Sequence, residues 1–120
     1  MAEHLDFTGA VLDLSFDKGS VISPGPFTLY DGNNAAITNI SSARIDFFTG
    51  TIASPTATFT NAVSVNVAAS TTISFTLSAT NTRAFTAGTE YCYKLEVTLS
   101  DGTIVPVLKG NIDVGTEFST

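Results

Sequence analysis

The sequence predicts an all-β protein, an antiparallel sandwich of about seven short strands, and three observations carry that prediction. Tyr91, Tyr93, Leu95, Val97 and Leu99 occupy every second position, with Cys92, Lys94, Glu96 and Thr98 between them. A period of two sustained over that stretch is a strand with one buried face. Short apolar runs recur along the chain with Gly, Pro, Asn and Asp between them, the punctuation of turns. Nine Phe and three Tyr accompany many Val and Ile, and only 13% of residues are charged. That mixture suits pleated, half-buried surfaces, and the scarcity of Lys, Arg, Glu and Met leaves little to drive helices.

A chain of 120 residues is one domain, large enough to bury an ordinary core. Residues 1–9 read as an N-terminal arm, 10–115 as the sandwich and 116–120 as a short C-terminal tail. Leu12, Leu14 and Phe16 alternate with Asp13, Ser15 and Asp17 in a first strand that ends at Lys18-Gly19. Pro24 and Pro26 lack amide donors, so Ser23-Pro24-Gly25-Pro26 is a rigid turn or an edge break. Phe27 to Tyr30 is a short strand closed by the turn signal Asp31-Gly32-Asn33-Asn34. In the next strand Ala43, Ile45 and Phe47 alternate with Arg44, Asp46 and Phe48. An aromatic on each face there implies burial on two sides or an exposed apolar patch.

Thr49 through Pro55 reads as a loop. Alternation resumes from Thr58 to Val67, with Val63, Val65 and Val67 on one side and Ser64 and Asn66 on the other. Ser70-Thr71-Thr72 marks a turn, and Ile73, Phe75 and Leu77 form another strand. Ser78 to Phe85 predicts one or two helical turns, with Ser78 or Thr80 as N-cap and Gly88 past the end. Tyr91 to Leu99 then reverses at Asp101-Gly102, because Gly tolerates positive φ and Asp bonds its own backbone. A last apolar run follows, broken at Pro106 and Gly110 and resuming at Ile112 and Val114. Strands at this spacing with one short helical turn predict an immunoglobulin-like sandwich. One Cys and no Trp leave out the Cys…Trp…Cys signature of antibody domains. Phe16, Phe47, Phe75, Tyr91, Tyr93, Leu95 and Val97 are the expected core.

Charge narrows the functions. The net charge is −6, and Lys18, Arg44, Arg83, Lys94 and Lys109 are the basic residues. No basic stripe neutralises phosphates, so neither nucleic acid nor an anionic membrane is an expected partner. The acidic residues are spread along the chain, which reads as solubility. No apolar run approaches the ~20 residues of a membrane-spanning helix, and Met1-Ala2-Glu3-His4 lacks the basic start of a signal peptide. A chain made and kept in a cytoplasm, or released from one by lysis, is expected.

Chemistry is not expected to be its business, and neither an enzyme nor a cofactor is predicted. Asp13 and Asp17 share a strand face but stand two strand periods apart, ~13 Å, too far for a close acid–base pair. Residues 31–34 offer oxygen ligands but lack the spaced acids and closing Glu of a calcium loop. One His and one Cys make no zinc site. The glycines sit singly between strands, so no phosphate-cradling loop is present, and no Ser has a placed activating base. Cys92 reads as a small buried or half-buried thiol, since a catalytic Cys wants a nearby His.

Apolar residues left over after the core is assigned matter more. Phe48, Phe59, Phe85, Val105 and Phe118 are the candidate partner-contact residues, an apolar surface for a subunit or another protein. Free edges near Pro106 and Pro24–Pro26 are candidates for pairing with a neighbour's extended arm, and Met1 to Phe7 is a candidate arm.

Three pieces of the second half carry a family resemblance. Ile73-Ser74-Phe75-Thr76-Leu77-Ser78-Ala79-Thr80 is a strand entering a short helical turn. Phe85-Thr86-Ala87-Gly88-Thr89-Glu90-Tyr91-Cys92-Tyr93-Lys94-Leu95-Glu96-Val97 looks like a family strand of the pattern Y-x-Y-x-L-x-V. Asp101-Gly102 followed by Leu108, Gly110, Ile112 and Val114 matches DG…L-x-G-x-I-x-V. Together they resemble the N-terminal domain of the baseplate upper proteins of lactococcal-type phages and related small virion proteins, closely over about residues 70–114 and loosely over 10–69.

The resemblance implies a β-sandwich that attaches to a phage particle, and no catalytic residues. It implies a non-enzymatic structural protein of a tailed bacteriophage, assembled in the host cytoplasm and docked in multiple copies on the tail or baseplate. Its partners would be other virion proteins and further copies of itself. The sequence stops at Thr120 with no receptor-binding region, which favours an accessory subunit and leaves capsid decoration as the alternative. A glycan-binding adhesin module is the reading of another class, with Tyr30 as its one plausible platform. A small hydrolase is the remaining formal alternative.

Overall fold

The computed structural model describes residues 3–6, 10–30, 33 and 35–116. Their strands are β1 (Glu3–Asp6), β2 (Ala10–Val11), β3 (Leu14–Asp17), β4 (Phe27–Tyr30), β5 (Ile40–Thr51), β6 (Ser54–Phe59), β7 (Val65–Ala68), β8 (Thr72–Phe75), β9 (Tyr91–Leu99) and β10 (Ile104–Gly115). One helix, α1 (Ala79–Arg83), lies between β8 and β9. The strands form two sheets, β1-β4-β8-β7 and β2-β10-β9-β5-β6, with β3 also on β10. β7 packs against β5, and β1 lies beside β10, so the sheets stack face to face with β6 and β7 along one rim.

This is the predicted all-β sandwich with its one short helical turn. β4-β8-β7 and β10-β9-β5 follow the B-E-D and G-F-C orders of immunoglobulin domains. Three pairings are parallel, namely β1 with β4 and both β2 and β3 with β10. The strand count exceeds the predicted seven for local reasons. Part of the predicted arm, Glu3–Asp6, pairs with β4. The predicted first strand opens only at Leu14, as β3, and a separate two-residue strand, β2, precedes Leu12.

Two more elements differ from expectation. The predicted loop at Thr49–Pro55 is a hairpin in which Thr51 pairs with Ser54, and Gly50 absorbs a bulge at φ +95°. Thr58–Val67 is not one strand, because β6 belongs to one sheet and β7 to the other. Alternation reports which side chains point inward, and both sheets present the same inward side to one core, so the crossing leaves the pattern intact.

The core lies between the sheets, with Phe27, Leu29, Ile73 and Phe75 on one side and Phe47, Tyr93, Leu95 and Val97 on the other. All seven predicted core residues are buried. Phe85, just past α1, is the hub of an aromatic cluster. Its ring centroid lies 5.5 Å from Phe16, 5.6 Å from Phe47, 5.0 Å from Phe59 and 4.8 Å from Tyr91.

α1 is pinned at both ends of its short span. Ser78 is its N-cap, accepting from the Asn81 amide while the Asn81 side chain accepts from the Ser78 amide. Thr82 is fully buried, and its hydroxyl accepts from Gly19 N (3.0 Å) and donates to Ser20 O (2.8 Å). Next to the helix, the Thr86 amide donates to the Tyr91 hydroxyl at 2.9 Å. A tyrosine entering the F strand and bonding backbone a few residues upstream is the tyrosine corner of immunoglobulin-like sandwiches.

The β9–β10 hairpin closes the second sheet. Gly102 takes φ +91° in the turn, and the Thr103 amide donates to Asp101 Oδ1 at 2.9 Å. Neither Pro106 nor Gly110 breaks β10. Pro106 sits at a bulge where the register slips between Pro106 and Leu108. The slip puts Val105 opposite Val97 and Leu108 opposite Leu95, so both valine and leucine face the core from opposite sequence parity.

Candidate docking surface

The outer face of the six-stranded sheet is built from cross-strand rows fixed by the register. Phe48, Cys92 and Asn111 make one row, Asp46, Lys94 and Lys109 the next, then Arg44, Glu96 and Pro106, then Ser42, Thr98 and Ile104. Phe48 and Cys92 of the first row form an apolar floor. The β5–β6 turn leans over it, with the Ile52 amide donating to Asn111 Oδ1 at 2.9 Å and the Gly50 amide to Glu90 O at 2.9 Å. A shallow groove of about 300 Å³ results, lined by Phe48, Ile52, Pro55, Cys92, Tyr93, Lys94 and Lys109.

Two of the chain's five basic residues, Lys94 and Lys109, stand side by side at the groove. The Lys94 ammonium is 3.7 Å from Glu96, which also holds Arg44 at 3.4 Å, and Arg44 reaches Asp46 at 3.2 Å. These exposed pairs organise the face and add little to stability. Cys92 is 2% exposed, and burial pushes its thiol pKa up. It is a packed hydrophobe, not a nucleophile.

A second concavity of about 330 Å³ lies where β9 begins and β10 ends, bordered by Asp13, Glu90, Asp113, Thr51, Thr89 and Asn111. Asp13 is engaged there, since its Oδ1 accepts from the Asn111 amide at 2.9 Å. Among the described residues no three His, Cys, Asp or Glu side chains come together as a metal site. Asp31, Gly32 and Asn34 of the weighed calcium loop lie outside the described residues.

The five predicted contact residues do not form one surface. Phe48 is half-buried and lies on the outer face. Phe59 is half-buried on β6 but stacks inward on Phe85 and Tyr91. Phe85 is wholly buried, and Val105 is 6% exposed; both are core residues of the chain and not surface contacts. Phe85 belongs to no alternating run of the sequence, and the bulge takes Val105 out of the strict period of two. Phe118 lies outside the described residues. Pro24 is drawn into the sheet, its carbonyl accepting from Phe75 N at 3.2 Å, so that region is no open edge.

From Phe47 to Thr82 the chain contains no charged residue. The acidic residues are therefore not evenly spread, stopping at Asp46 and resuming at Glu90. The gap covers β6, β7, β8 and the links between them. In comparisons with known proteins the chain matches no family model, and no curated protein matches it.

Proposed function

We propose that the chain is a non-enzymatic structural subunit of a tailed-bacteriophage virion that docks in multiple copies on the tail or baseplate. The observation that carries the reading is the resemblance of residues 70–114 to the baseplate upper protein domain. Those residues are β8, α1, β9 and β10, a contiguous piece that includes the tyrosine corner and closing hairpin. The surface chemistry is compatible with docking. Phe48 and Ile52 beside Lys94 and Lys109 present apolar area framed by charge, the composition of a protein–protein contact core with a polar rim. A modest contact per copy suffices when many copies bind one particle, because repetition supplies avidity.

Localisation on purified particles tests the reading. Deleting the gene is expected to remove density from the tail or baseplate in electron micrographs, and the protein added back is expected to restore it. Density lost from the capsid would reassign the chain to head decoration. Unchanged particles from which the protein was never recoverable would end the virion reading. Binding to a glycan array, abolished by Tyr30→Ala, would support the adhesin in its place.

A further inference from the structure

The two rims of the sandwich are guarded differently. A sheet edge exposes unpaired backbone groups that template pairing with another chain, and edges are ordinarily blunted by charge, proline or bulges. On one rim, β3 carries Asp17 and is flanked by Asp13 and Lys18. On the other rim lie β6 and β7, each paired on one side alone among the described residues. Nothing from Phe47 to Thr82 is charged, so this rim has no electrostatic guard. β6 retains Pro55 and carries a bulge at Thr56, opposite Thr49-Gly50. β7, Val65-Asn66-Val67-Ala68, has neither proline nor bulge.

We propose that this uncharged rim is the contact between two copies of the chain, made by antiparallel pairing of β7 with β7 of a second copy about a twofold axis. Charge selects a second copy as the occupant. The chain carries −6 overall, so copies repel wherever charged surfaces meet, and the β6–β7 rim is the approach on which no like charges face each other. An isologous contact also uses one patch twice, which an uncharged edge permits without any complementary charge. The exposed residues from Ser54 to Ser70 are Ser, Pro, Thr, Ala and Asn, and such short side chains lose little rotamer freedom when ordered.

The pleat limits the register. Val65 and Val67 are half-buried and face the core, whereas Asn66 and Ala68 are exposed. Directly opposed residues of an antiparallel pair lie on one face, so the twofold axis passes through a residue of β7 and not between two. In the proposed register Val65 stands opposite the partner's Val67, which puts Asn66 opposite the partner's Asn66, near the axis. The association needs no other virion protein, so it stands or falls separately from the virion reading.

Sedimentation equilibrium of the full chain with Asn66→Lys and Ser15→Lys tests the contact. Ser15 is exposed on β3 at the guarded rim. The parent is expected to dimerise. Asn66→Lys places two ammonium groups across the axis and is expected to raise the dissociation constant about tenfold or more, while Ser15→Lys leaves it unchanged. In a separate arm that does not depend on a lysine being tolerated, Asn66→Cys is expected to be captured as a dimer by a short thiol cross-linker; Cys92 is buried. A monomeric parent overturns the proposal, as does a dimer indifferent to Asn66→Lys, or Asn66→Cys that never cross-links.

Discussion

Leu12 organises more of this molecule than its half-buried side chain suggests. Its amide donates to Lys109 O at 2.8 Å, and its carbonyl accepts from the Tyr93 hydroxyl at 2.5 Å. The Tyr93 phenol reaches that carbonyl past its cross-strand partner Gly110. A Cβ on Gly110 would lie 2.0 Å from Leu12 O and 2.6 Å from Leu12 C. Backbone, not a flexible side-chain tip, would have to move. Gly110→Ala is therefore expected to destabilise the fold by about 3 kcal/mol or more, the upper range of overpacking. Tyr93→Phe keeps the ring and strands the Leu12 carbonyl, for which about 1–3 kcal/mol is expected. Denaturant melts of the two variants check both values, and a Gly110→Ala melt matching the parent would mean the β2–β3 break does not rest on β10. Burial, aided by the Asp13 charge, holds the Tyr93 phenol far above its usual pKa, so this bond donates throughout the accessible pH range. The sequence offered the core role of Tyr93, since alternation marks it. It did not offer Leu12, because a backbone carbonyl leaves no trace in side-chain type.

Elements were legible where side chains report periodicity and illegible where backbone geometry decides. β9, α1 with its Ser78 cap, and the Asp101-Gly102 turn follow from their residues. The bulge at Pro106 does not: Val105 and Leu108 both face the core, and a strict period of two assigns them to opposite faces. Crossing between sheets at Thr60–Ser64 is equally silent, since inward valines read the same in either sheet. The turn supplies a pH-dependent prediction. Hydrogen bonds from the Thr103 amide and hydroxyl hold the Asp101 carboxyl below its usual pKa. A carboxyl whose folded pKa is depressed stabilises the fold above its unfolded pKa, and that contribution is lost as pH falls through the folded value. Asp101→Ala is expected to melt below the parent at pH 7, with the gap closing as pH drops below ~4. Thermal melts of both proteins from neutral to acid pH check the sign; a gap that widened on acidification would show that the charged form of Asp101 does not hold the turn.

At the scale of the whole molecule, charge placement decides how copies meet. The chain measures 45 × 30 × 21 Å. At ~0.01 M salt the Debye length is about 30 Å, comparable with the molecule, so the −6 charge of one copy acts on another even across a neutral rim. At ~0.15 M it is about 8 Å, and charge beyond the rim is screened. A contact held by ion pairs weakens as salt rises. A contact along the β6–β7 rim has no ion pair to lose and only long-range repulsion to shed. The dimer dissociation constant is therefore expected to fall between those two salt concentrations and then to level off. Sedimentation across that range decides between the two kinds of contact, and a constant that rose with salt would place the meeting of copies on the charged faces. The composition alone gave net acidity and predicted solubility. What turns solubility into a directed contact is the folding of one uncharged stretch into both strands of a single rim.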